Sequence, residues 1–433
     1  MMQKIILLLL SSALVACQTT SSTADQILSL GTNPILPAPS ASMIPTINIA
    51  KASKWPDGVM PNVNNNFIIN VYSKELVHPR WLYVLPNGDV LVAQSNKQSS
   101  KSKGLKEVIA KHFMKRAGAG EESPDRITLL RDHNGDGVAE LATDFLSDLH
   151  SPFGMALIGS DLYVANTNAI IRFHYQSGET KIDTKKYPPE KIIDLPEGDI
   201  NHHWTKNIIA SHDGSKLYVT VGSNSNIGEN GLDQEIDRAA IWEVDLKTNK
   251  KKIYASGLRN PNGLAWQANT HTLWTVVNER DELGDDLVPD YLSSVHEGDF
   301  FGWPYVYYGN HQDLRVKEPM PKNSLPRSPD YALGAHVAAL GLVFAPTKSQ
   351  GPYNEGAFIS EHGSWNRSKR SGYKVIFVPF KNNEPYGMPI DIVTDFVVHD
   401  EAYGRPVGLA LDIHGNLLIA DDVGNRVWRV KYQ

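Results

Sequence analysis

Trp81-Leu-Tyr-Val-Leu-Pro-Asn-Gly-Asp-Val-Leu-Val-Ala93 decides the fold. An alternating apolar run breaks at Asn-Gly, whose residues tolerate positive φ, and resumes as a second alternating run, so the stretch reads as a β-hairpin with one side of each strand buried. The same unit returns at residues 153–165, 208–220, 262–275, 341–344 leading to 356–360, and 407–420. The copies start about 55 to 80 residues apart, room for a four-stranded blade and one sizeable loop, and no helical period competes. Such units bury their faces by stacking round a central channel. The expected fold is an all-β, six-bladed β-propeller, its ring closed where Phe67-Ile-Ile-Asn-Val-Tyr72 pairs beside Arg426-Val-Trp-Arg-Val430. A two-sheet sandwich would not require equivalent hairpins at these intervals. Residues 97–123, basic and rich in Ser and Gly, read as an insertion that is partly helical.

The N-terminus carries Lys4, an apolar run over residues 5–10, and Leu14-Val15-Ala16-Cys17. This reads as an export signal, too short to span a bilayer, and its last four residues resemble the lipobox of bacterial lipoproteins. The expected organisation is a signal peptide over 1–16, a lipidated Cys17 heading a flexible Ser/Thr/Pro/Ala tether over 17–50, and the propeller over 51–433. Gln18 matches Gram-negative lipoproteins sorted to the outer membrane, so the expected location is that membrane, facing the periplasm. Cys17 is the sole cysteine, which excludes disulfides and thiolate metal sites from the folded part. A net charge of −6 with interspersed signs offers no basic face for nucleic acid, and the lipid anchor is the only expected membrane contact.

Chemistry concentrates at the blade junctions. Asn201-His202-His203-Trp204 precedes the third hairpin, and a loop histidine on a rigid scaffold suits a general base. Arg259-Asn260 precedes the fourth, pairing a guanidinium for carboxylate with an amide for oxygen. Asn278-Glu279-Arg280-Asp281-Glu282-Leu283-Gly284-Asp285-Asp286 packs five carboxylates into one loop, which reads either as oxygen ligands for a hard cation or as a solvated acidic loop. Asp132, Asn134 and Asp136 open a calcium-loop pattern whose twelfth position is Thr143 where a glutamate belongs, a partial match to a separate structural calcium site. Trp303, His362, Arg367 and Arg405 add aromatic or basic groups beside glycines at other junctions.

Taken together, in order and spacing, these segments resemble the soluble glucose/sorbosone dehydrogenase family over about Phe67 to Val430, most closely the L-sorbosone dehydrogenase branch. The resemblance implies a six-bladed propeller using pyrroloquinoline quinone (PQQ) and calcium to oxidise a sugar or aldehyde, with an electron acceptor outside the chain. It assigns the catalytic base to His203 rather than His202. Arg259 and Asn260 match the pair that contacts the cofactor carboxylate and quinone oxygen, and Trp303 an aromatic at the cofactor plane. Main-chain carbonyls of Glu279 and Arg280 match the calcium loop. Arg405 matches the first of two arginines near the cofactor; Val407 takes the place of the second, leaving Arg80, His362 or Arg367 to supply the missing partner. Two rival readings stand beside this one. A calcium-dependent propeller lactonase needs carboxylate and amide ligands converging from several blades, and a non-catalytic propeller binds sugar or protein without chemistry.

Overall fold

The computed structural model describes residues 28–40, 46–98, 115–118, 120–346 and 353–433. Cys17 and most of the 97–123 insertion lie outside them. The ring is built of six antiparallel sheets: five have four strands in meander order from the axis outward, and that of blade 5 adds two short strands, Asn62–Val63 and Glu384–Pro385, to its four. Blade 1 spans residues 79–146, blade 2 155–194, blade 3 208–256, blade 4 260–335 and blade 5 339–394. Blade 6 takes three strands from residues 406–432 and its outermost from Phe67–Ser73. Ile69 lies opposite Val430 and Val71 opposite Trp428, so the two ends of the fold meet in one sheet as expected. The innermost strands pack in cyclic order, and Pro406–Leu411 meets Pro79–Val84 to close the six-bladed β-propeller.

No single core holds this ring; six apolar wedges do, one between each pair of consecutive blades. Val90 and Val92 face Leu418 and Ala420 of blade 6, whereas Leu91 and Ala93 on the same strand face Met155 and Leu162 of blade 2. The period-2 alternation therefore feeds two neighbouring wedges, and the expectation of one buried side per strand is corrected: residues 90–94 are buried on both. Glycine lets the inner strands approach. A Cβ at Gly154, Gly263, Gly341 or Gly408 would lie 2.4 to 2.8 Å from backbone of the next blade, at Ile208, Leu340, Val407 and Arg80 respectively. Around the axis the strands enclose an apolar cavity of about 740 Å³, bounded by Trp81, Met155, Trp266, Phe344 and Leu411.

Part of the segment expected to be a free tether is docked. Gly31 exchanges backbone hydrogen bonds with Ala332 of blade 4, the Ser40 amide donates to Leu283 O, and the Asn48 amide donates to Trp365 O of blade 5. Leu36 packs into the wedge between blades 3 and 4. The low-complexity composition concealed backbone pairing, which any residue but proline can supply.

Candidate functional site

Every candidate at the channel lies at one end of the ring, because inner strands begin there and second strands finish there. His203 precedes the inner strand Ile208–Ala210, Arg259 and Asn260 open Asn260–Trp266, Arg405 precedes Pro406–Leu411, and Arg80 lies in Pro79–Val84. Gly222, just past Lys216–Val221, lies between two of them: a Cβ there would meet Asn260 Oδ1 at 2.4 Å and His203 Cβ at 2.6 Å. His203 Nδ1 is 2.7 Å from Ser223 O. A carbonyl only accepts, so Nδ1 carries the hydrogen and Nε2 is left with its lone pair. Burial, with the Arg259 charge and His202 behind it, holds the His203 pKa well below the usual imidazole value. His202 opens to solvent in the mouth, yet the dense walls, Arg259 and Lys97 hold its pKa at about 4.

Arg259 is nearly encased. Its Nη1 donates to Glu279 O at 2.7 Å, its Nε to Asn226 O at 3.2 Å, and its Nη2 to Asp281 at 3.2 Å. Three of the five guanidinium hydrogens are thus engaged. Trp303 Nε1 donates to the same Asn226 carbonyl at 2.9 Å, bringing the aromatic beside the arginine. Buried Asn260 keeps its Oδ1 without a partner. The acidic loop does not gather its carboxylates round one point. Glu279 pairs with Arg280, Asp281 with Arg259 and His336, Asp285 with Ser368, and Asp286 with Arg367. The side-chain cation cage that five carboxylates suggested is absent among the described residues, since each acid neutralises a base or caps a backbone amide. Arg280 is fully buried and donates to Pro304 O and Val306 O, so its side chain fastens the loop from beneath.

His336 completes the loop's anchorage. Its Nδ1 is 3.2 Å from Asp281 and its Nε2 3.0 Å from Gly284 O. Two acceptors favour an N–H on each ring nitrogen, and Asp281 raises the His336 pKa against the opposing effect of burial. Although burial alone would raise the Asp281 pKa, Arg259 and His336 bring it down to about 2. Across the blade 6 junction, Asp422 accepts from Arg80 Nη1 and lies 3.0 Å from His362 Nε2. Arg405 Nη2 donates to Tyr373 Oη at 2.8 Å, while the buried Nε atoms of Arg405 and Arg80 have no partner. Arg367 points to the acidic loop, donating to Asp285 O at 2.8 Å.

The sequence profile of the TrAA12-like family matches residues 124–297 and 315–433. The chain belongs to the TrAA12-like family. A Borreliella burgdorferi protein without a described activity is 29% identical over 294 residues, 66% of this chain and 76% of its own. Two solved structures share the fold. The calcium structure of the Trichoderma reesei carbohydrate-active enzyme of family AA12 has a TM-score of 0.69 at 17% identity, covering 90% of this chain and 99% of that one. The holo pyranose dehydrogenase PQQ domain from Coprinopsis cinerea has a TM-score of 0.68 at 18% identity, covering 87% and 98%.

In the TrAA12-like protein, Asp132, Asn134 and Asp136 form a turn on blade 1 away from the channel mouth. Asp132 accepts from the amides of Gly135 and Gly137, and Asp136 from that of Val138. Glu140, which sequence reasoning passed over for Thr143, joins Asp132 and Asp136 with ligand atoms within 4.8 Å of one another. Thr143 instead donates to Thr180 O in the sheet. Among the described residues this is the one such group of three. Ser223, His336 and Asp422 line the candidate site without having been singled out in the sequence, and Asp281, read there as an oxygen ligand of the acidic loop, is instead a partner of Arg259 and His336. Their signal lies in partners 20 to 60 residues away.

Proposed function

We propose that this protein is a PQQ- and calcium-dependent dehydrogenase of a sugar or aldehyde, of the aldose or sorbosone type, with His203 as the proton acceptor. The observation that carries the reading is the imidazole of His203, held as the neutral Nδ1–H tautomer beside Asn260 at the channel mouth. Family membership and the likeness to the holo PQQ domain support it. The residues present fit an anionic quinone: Arg259 keeps unused N–H groups, and buried Arg80 Nε and Arg405 Nε lack partners at the same end. Arg259, Asn260, Trp303, Arg405 and Arg80 are the proposed holders, His362 being tied to Asp422 and Arg367 to the acidic loop.

When bound, PQQ with calcium supplies a polarised two-electron hydride acceptor. The chain's own part is proton handling and orientation. As the donor C–O–H becomes C=O, hydride leaves carbon and the hydroxyl proton goes to His203 Nε2, while Ser223 O keeps the ring from turning and stabilises the imidazolium formed. The backbone of Glu279 and Arg280 is the proposed calcium wall, and the electrons leave to an acceptor outside the chain. Cys17 lies outside the described residues; its acylation and an outer-membrane, periplasm-facing location are part of the same proposal, tested by membrane partitioning of Cys17→Ala, which should be released.

The test is dye reduction by purified protein given PQQ, calcium and a panel of aldoses and aldehydes. Activity that needs both additions and vanishes in His203→Ala is expected. Hydrolysis of lactones without PQQ, and no dye reduction, would replace this reading by the lactonase.

A further inference from the structure

We propose that His212 and His271, at the opposite end of the ring from His203, form a binding site for a single first-row transition-metal ion. His212 lies on the tight turn after the inner strand of blade 3, and His271 on the equivalent turn of blade 4. Their side chains meet across the blade junction in solvent, His271 Nδ1 standing 3.1 Å from His212 Nε2. That separation is the bite a divalent ion wants: two ligand bonds of about 2.0 to 2.1 Å meeting near a tetrahedral or square angle put their nitrogens roughly 3 Å apart. The ring centroids are 4.4 Å apart with planes at 80°, too close for two rings joined end to end by a straight N–H···N bond. The two nitrogens flank a shared point open to water, which would fill the remaining coordination positions.

The His212 ring and the His271 backbone are held before any ion arrives. His212 lies against the Trp266 ring at 4.8 Å, and Trp266 is itself fixed by its Nε1 donating to Ala210 O at 2.8 Å. The His271 amide donates to Gln267 O at 2.9 Å from a left-handed backbone with φ of 56°. Preorganised imidazoles on two rigid blades pay little ordering entropy on chelation. Neutral imidazole selects copper, nickel and zinc over calcium, and copper most strongly. A bound ion would clip blade 3 to blade 4 at the base of the ring, beside the apolar cavity that Trp266 helps to line.

The experiment titrates the calcium-saturated protein with Cu²⁺ alone and reads electron paramagnetic resonance. One ion per chain with a two-nitrogen signature is expected. His212→Ala and His271→Ala, exposed changes that leave the fold intact, should each weaken binding about tenfold or more by forfeiting the chelate. His296→Ala, an exposed histidine elsewhere, should change nothing. Zn²⁺ should raise the melting temperature of the parent and not of the two variants. Binding unchanged in both variants, or a one-nitrogen signal in the parent, overturns the proposal.

Discussion

The base proposed for this site, His203, is kept from holding a proton. Burial and Arg259 depress its pKa, so the proposed proton-acceptor role would be lost only as pH falls through that depressed value. The kcat/KM profile should therefore stay flat through the region near 6.5 where an ordinary imidazole would titrate; an acid limb centred there would remove His203 from the role. His203→Ala should cost about two to four orders of magnitude in turnover with PQQ still bound, and His202→Ala much less. Asp422 sets a second residue-scale test. Buried between Arg80 and His362, with His78 Nε2 at 3.9 Å, it is kept ionised by those groups although burial opposes it. Asp422→Ala leaves the Arg80 charge buried and uncompensated and should cost about 3 to 5 kcal/mol in denaturant unfolding. The placement of His203, Arg259 and Asn260 at the channel mouth was legible in the sequence because each stands just ahead of a hairpin. Asp422, His336 and the pairing of Asp281 were not, since a carboxylate or imidazole becomes legible only through partners that the ring brings together from other blades.

The element that repeats is a hairpin whose first strand carries glycine for a reason the hairpin does not contain. Residues 153–156, 262–265 and 407–410 all read x-Gly-(Leu/Met)-Ala. The turns were legible because positive φ is a local demand, whereas these glycines answer to the neighbouring blade. Ladder registers slip beside Gly263, Gly408 and the equivalent Gly341, between Pro261 and Leu264, Pro406 and Leu409, and Ala339 and Leu342, marking bulges where backbone nears backbone. Gly341→Ala would press a methyl group onto Val407 O at 2.4 Å and Ser360 Oγ at 2.7 Å. Opening that junction should cost about 1 to 3 kcal/mol, the usual penalty for overpacking. Gly159→Ala is the control, since its Cβ meets nothing within 4 Å and only the strain of φ 61° remains. Equal losses at the two positions would show that contact with the next blade at Gly341 costs no more than the left-handed strain at Gly159, against the role given to Gly341. The pairing of Phe67–Ser73 with the C-terminal strand was legible because both are strongly apolar strands left without a local partner. The docking of residues 28–40 was not, because backbone pairing such as that between Gly31 and Ala332 leaves no apolar pattern.

At the scale of the whole molecule, a ring of six wedges has no central core to hold it, so anything that bridges the channel mouth acts on every junction at once. Arg259 reaches the mouth between blades 3 and 4, Arg405 between blades 5 and 6, and Arg80 from blade 1. A dianionic ligand gripped by these cations would tie separate blades together and bind the native ring but not the unfolded chain. Such a ligand stabilises by mass action, about 2.7 kcal/mol at one hundred times its Kd. PQQ with calcium should accordingly raise the melting temperature by a few degrees, with the increment growing as the logarithm of PQQ concentration. Calcium alone should do less, because the acidic loop's carboxylates are already paired with Arg259, Arg367 and His336. Arg405→Ala should shrink the PQQ-dependent increment while leaving turnover of the saturated enzyme closer to the parent's, since a lost carboxylate contact weakens retention more than chemistry. Calorimetry at fixed protein and graded PQQ reads all three effects, and an unmoved transition in the parent would mean that these arginines hold the fold and not a cofactor.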